Sequence, residues 1–104
     1  MINGRLITVN LITNNHVIPL NEFTQNYIGN ILLSIAHSFG YSPEQIIAIV
    51  DEAGLKITTE KGEIPLIKEF SKSLVGSTIK GMISPLKGII WFKNIIITAN
   101  YNNS

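Results

Sequence analysis

Gly40-Tyr-Ser-Pro-Glu-Gln-Ile-Ile-Ala-Ile-Val-Asp-Glu-Ala-Gly54 is the stretch on which the fold turns. Ser42-Pro-Glu-Gln45 has the form of a helix-capping box with proline at the first helical position. Two readings follow from it. One is a second helix running to Ala53; the other is a single turn that feeds a strand, Ile46–Val50. Four of the five residues 46–50 are β-branched, which favours the pleated, half-buried surface of a strand. Asp51–Gly54 then becomes a turn, Leu55–Thr59 the returning strand, and Glu60–Glu63 another turn. Alternation along the first strand sends Ile46, Ala48 and Val50 to one side and Ile47 and Ile49 to the other.

Upstream, Arg5–Thr13 alternates as a strand, with the wholly apolar set Ile7, Val9 and Leu11 directed to the core. Asn14-Asn15 supplies two residues that tolerate positive φ, as a tight hairpin requires. His16–Leu20 returns as a second strand. Pro19 cannot donate to a ladder, so this strand is an edge or ends there. A long helix follows, capped by Asn21 or Thr24, with Phe23, Tyr27, Ile28, Ile31, Leu32, Ile35 and Phe39 at helical spacing. Gly40 stands where a helix stops. Gly29 is a mild defect within it and allows close contact with the sheet.

Downstream, residues 64–86 admit two readings. Ile67, Phe70, Leu74, Ile79, Met82 and Ile83 suit a helix begun by Pro65, whereas Gly76 and Gly81 argue against one long helix. A helical turn near Leu66–Phe70 followed by a strand around Thr78–Ser84 fits equally. Pro85 ends either version. Residues 88–99 form a final strand or hairpin, and the polar tail Asn100–Ser104 is expected to fray.

Composition bounds the rest. The chain has 104 residues, 45% hydrophobic and 14% charged, of which twenty are isoleucine. That is one domain with ample apolar surface for a core, spanning 1–104 without linker or repeat. Few charges leave some isoleucine exposed, on a sheet face or in an oligomer interface. The formal charge of +1 predicts no strong attraction to nucleic acid or anionic membrane. Acids gather in residues 40–63, while Lys68, Lys72, Lys80, Lys87 and Lys93 face only Glu69 in residues 68–104. The chain contains no cysteine, which excludes disulfides and thiol chemistry. No basic region precedes a long apolar run at the N-terminus, and no stretch approaches the ~20 apolar residues of a membrane span. A cytoplasmic, soluble protein is expected.

Hairpin, long helix, then Gly40-Tyr-Ser-Pro-Glu-Gln45 leading into an apolar strand is the element order of the ubiquitin-like β-grasp proteins, which the chain resembles over residues 5–84. Ile64-Pro-Leu-Ile-Lys-Glu-Phe70 is similar to the short helical turn before that family's last strand, and Ser77-Thr-Ile-Lys-Gly-Met-Ile83 to the strand itself. The resemblance implies an α+β fold with a mixed sheet and one main helix, carrying an extra C-terminal strand or hairpin over residues 85–104. Two departures matter. The family's modifiers and sulfur carriers end in Gly-Gly, whereas this sequence ends Tyr101-Asn-Asn-Ser104, so no residue takes that role. Residues 85–100 have no counterpart in the family. What the resemblance implies is therefore a non-conjugated adaptor or accessory subunit.

No catalytic constellation is legible. His16 and His37 have no carboxylate at i±3 or i±4, as a helix-borne metal site would need, and adjacent Asp51-Glu52 in a turn point apart. Gly-x-Ser-x-Gly, Gly-x-Gly-x-x-Gly and phosphate-loop patterns are missing; Gly76-Ser-Thr-Ile-Lys-Gly81 imitates the last without its spacing. No enzyme activity, cofactor or metal is expected. A one-layer sheet under one helix covers a single face. Ile47 and Ile49 are accordingly expected on the open face, where ubiquitin-like proteins present an apolar patch. Alternatively, Ile89–Ala99 with Trp91 folds over or beside that face. In a third arrangement Trp91, Phe92 and Ile95–Ile97 form an exposed edge strand that pairs with a partner. The candidate interaction residues are thus Ile47, Ile49, Trp91 and Phe92, for a protein partner or self-association. The competing function is a small nucleic-acid- or ligand-binding domain using the lysine-rich C-terminal half, for which Trp91-Phe-Lys93 and Lys87 are a fragment of the basic–aromatic pattern.

Overall fold

A computed structural model describes residues 5–86, 89 and 93–103. Within them the chain runs β1 (Arg5–Thr13), β2 (His16–Ile18), α1 (Glu22–Ser38), β3 (Gln45–Asp51), β4 (Gly54–Thr59), β5 (Gly62–Glu63), α2 (Glu69–Ile83) and β6 (Ile95–Asn103). The six strands form one sheet in the order β2-β1-β6-β3-β4-β5, antiparallel at every pairing.

Local chemistry explains most of these boundaries. Asn14 and Asn15 turn the first hairpin at φ 50° and 66°, the left-handed region that asparagine tolerates. β2 stops before Pro19 and leaves Arg5–Asn10 of β1 without a strand partner on that side. The Gln25 side chain of α1 fills that gap: its Oε1 accepts from Val9 N at 3.0 Å and its Nε2 donates to the Leu20 carbonyl at 3.1 Å. Asn21 caps α1, its Oδ1 accepting from Thr24 N at 2.7 Å. The helix ends in a Schellman turn, with Tyr41 N donating to Ala36 O, Gly40 N to His37 O, and Gly40 at φ 87°. Of the two readings of residues 42–53, the strand is the one adopted, and Gly54 at φ 120° closes the β3–β4 hairpin.

A single apolar cluster joins one sheet face to both helices, so both lie on that face. Val9, Leu11, Ile46, Ala48, Val50, Ile57, Ile95, Ile97, Ala99 and Tyr101 enter it from the strands. Ile28, Leu32, Leu33 and Ala36 enter from α1, and Val75, Ile79 and Ile83 from α2. The apolar stripe of α1 is thereby offset by one residue from the one that spacing alone suggests. Phe23 and Tyr27 leave the core and stack on each other, ring centroids 6.0 Å apart.

Three expectations require correction. First, the sheet is antiparallel rather than mixed, and there are two helices rather than one main helix. Ser77–Ile83, which the resemblance made the last strand, belongs to α2. The reason is a balance of magnitudes. Gly76 and Gly81 each cost a helix about 1 kcal/mol. Burying Val75, Ile79 and Ile83 as one i, i+4, i+8 stripe returns ~1.5–3 kcal/mol apiece.

Second, the tail does not fray at Asn100. β6 continues to Asn103, paired with Arg5–Thr8, and Tyr101 is 4% exposed with its hydroxyl donating to the Gly29 carbonyl. Third, Ile95–Ile97 do not form an edge. They lie in the middle of the sheet, between β1 and β3, with both sets of backbone groups paired.

Candidate functional site

The face opposite the helices is built by the residues that alternate with the core. Register places Val17, Ile12, Ile96, Ile49 and Lys56 in one row across β2, β1, β6, β3 and β4. The next row is Asn10, Thr98, Ile47, Thr58 and Glu63, and the one after it Thr8, Asn100 and Gln45. Within this last row the Gln45 amide donates to Asn100 Oδ1 at 3.0 Å, which locks the two polar side chains to each other. Val17 is 69% exposed and Ile96 37%, while Ile12, Ile47 and Ile49 are half-buried by their neighbours on the sheet.

The two sequence-derived isoleucines therefore stand together on the face opposite the core, as alternation requires. Trp91 and Phe92 lie outside the described residues. Leu86 and Ile89 pack against the core cluster, on the helix side. Sequence reasoning missed the partners that complete the patch, Ile12 and Ile96, because the adjacency of β1, β6 and β3 is a long-range pairing that no local pattern announces.

The rim of this face is held by Glu60. Its carboxylate accepts from Glu44 N at 2.7 Å and Gln45 N at 3.0 Å, tying the start of β3 to the β4–β5 turn. These backbone donors, Glu44 first, hold the carboxyl below its ordinary pKa. At the sheet margins, β2 covers only Leu11–Thr13 of β1 and β5 only Thr58 and Thr59 of β4, so the remainder of each of those strands is edge.

Two concavities lie on the helix side. A groove of about 340 Å³ runs between α1 and α2, with Ile35, Phe39, Leu74 and Val75 among its walls. Phe70, 76% exposed, stands one turn before Leu74 on the same helix. A cleft of about 390 Å³ separates α2 from the β3–β4 hairpin. Lys72, Ser73, Gly76, Ser77 and Lys80 line one side of it, and Ala53, Gly54, Leu55 and Leu66 the other.

Among the described residues, no three histidine or acidic side chains converge as a metal site would require. No helix is long and apolar enough to cross a membrane. Comparison with protein-family models, curated proteins and solved structures gives no match to this chain.

Proposed function

We propose that the chain is a non-catalytic protein-interaction module whose open sheet face packs against a second copy of itself. The observation that carries this reading is the symmetry of the patch about β6. Ile12 and Ile49 flank Ile96 in one row, Asn10 and Ile47 flank Thr98 in the next, and Thr8 and Gln45 flank Asn100. A two-fold axis parallel to β6 stacks each row on its own reverse. Ile96 then meets Ile96 and Ile12 meets Ile49, while Val17 covers the aliphatic stem of Lys56. Self-complementarity of that row is what an isologous dimer needs, whereas the next row sets the Asn10 amide against Ile47, so the contact centres on Ile12, Ile96 and Ile49.

Magnitude sets the strength. Six strands about 4.8 Å apart and rows spanning residues 6–12 outline roughly 24 by 20 Å. A footprint near 480 Å² falls short of the ~800 Å² per partner of a standard stable interface. The association is accordingly weak and concentration-dependent, suited to an accessory subunit that also meets other proteins through this face. The order of hairpin, helix, glycine–proline turn and strand over residues 5–51 supports a distant ubiquitin-like kinship. The antiparallel, two-helix arrangement departs from it.

The absence of native cysteine makes a clean test available. A thiol at Thr98→Cys lies near the dyad, and packed sheets are ~10 Å apart. A thiol-specific crosslinker of that span is expected to join two Thr98→Cys chains and to leave Ser34→Cys, on the exposed side of α1, monomeric. Equal crosslinking of the two variants, or none of either, would overturn the proposal.

A further inference from the structure

We propose that the cleft between α2 and the β3–β4 hairpin binds a small organic anion: a phosphate ester, or a group of like charge and size, carried on a short apolar body. Lys72, Gly76 and Lys80 recur at i, i+4 and i+8 along α2, so one face of the helix carries two cations with a gap between them. The gap is real space. A Cβ placed on Gly76 meets no atom within 4 Å.

The polar groups here are uncommitted. Lys80 has no ion pair among the described residues, and the sole partner of Lys72 is Glu69 at 3.7 Å. Both ends of that pair are solvent-exposed, so it is weak and readily exchanged for a ligand. The Ser73 and Ser77 hydroxyls make no protein hydrogen bond among the described residues, in contrast to Thr78, which donates to the Leu74 carbonyl. They are free to donate to an anion.

The opposing wall has a different character. Leu55 and Leu66 are half-buried, and with Ala53 they give it an apolar surface. The nearby acids do not enter. Asp51 turns its Oδ1 into the hairpin to accept from Ala53 N at 2.8 Å, and Asp51 and Glu52 line a separate concavity with Lys93. Two cations and two hydroxyls facing an apolar wall recognise a molecule that is anionic at one end and apolar at the other. The site lies on the helix side of the sheet and is independent of the open-face dimer.

The test uses phenyl phosphate, inorganic phosphate and phenol as probes in amide chemical-shift titrations of the full chain. Phenyl phosphate is expected to shift the Gly54 and Gly76 signals saturably and more tightly than either fragment, with affinity falling as salt rises. Lys80→Ala is expected to weaken it about two- to five-fold, the worth of one solvent-accessible ion pair. Gly76→Leu fills the gap and is expected to abolish binding while the unfolding temperature holds or rises, because leucine is the better helix former. Non-saturating shifts, equal response to all three probes, or undiminished binding by a folded Gly76→Leu would each overturn the assignment.

Discussion

Tyr101 fastens the last strand to the first helix, and its removal tests whether the C-terminal residues are structural. The side chain is 4% exposed, and its hydroxyl donates to the carbonyl of Gly29, 72 residues away. Tyr101→Phe keeps the ring and deletes the bond. Gly29 O sits within the ladder of α1, so it is not orphaned. The cost is then the net worth of one hydrogen bond, about 1 kcal/mol. Tyr101→Ala also empties a buried aromatic site, at about 3–5 kcal/mol. Against a total stability of roughly 5–15 kcal/mol for a domain of this size, the alanine variant loses a large fraction. Urea unfolding followed by far-UV circular dichroism reads both changes as shifts in midpoint at constant slope. The phenylalanine variant is expected to melt about 4–8 °C lower. An alanine variant within about 0.5 kcal/mol of wild type, the range of an ordinary surface change, would show that residues 100–103 do not hold the sheet.

Further expectations concern glycine and acid. At Gly29 an added Cβ would meet Ile7 Cγ2 at 2.3 Å, and the β-branched Ile7 cannot clear it without changing χ1. Gly29→Ala is therefore expected to destabilise by about 1–2 kcal/mol, overpacking outweighing the gain in helix propensity. Gly81→Ala, where a Cβ meets nothing within 4 Å, is expected to stabilise by about 0.5–1 kcal/mol. Thermal melts of the pair check both signs. Glu60 has a folded-state pKa below its unfolded value of about 4.5, so its contribution is complete above that pH and is lost as pH falls through the lower folded value. Glu60→Gln is expected to flatten this part of the acid arm of a pH–stability curve by a small amount, since the carboxylate is exposed and screened. Identical acid arms would contradict the role given to it.

Much of the fold was legible because short-range chemistry decided it. Asn14-Asn15, the Asn21 cap, the Gly40 stop and the alternation of Ile46–Val50 each act within a few residues of themselves. The failures share a different cause. Gly76 and Gly81 obscure α2 because their penalty is local, while the reward for burying Val75, Ile79 and Ile83 comes from the distant sheet. The tail reads as polar, yet Ala99 and Tyr101 continue the inward alternation of Ile95 and Ile97, and only the position of β6 beside β1 gives that alternation meaning. For the same reason half the site was visible. Ile47 and Ile49 follow from one strand's own period, whereas Ile12 and Ile96 join them only through pairings between strands remote in sequence.

Light scattering of the purified chain, with the Ile47→Asp/Ile49→Asp variant beside it, reads whether the open sheet face joins two copies. The wild-type mass is expected to rise with concentration from that of one chain toward that of two, while the variant stays monomeric with an unchanged circular dichroism spectrum. A wild type that remains monomeric into the millimolar range, or a folded variant that associates equally well, would contradict it.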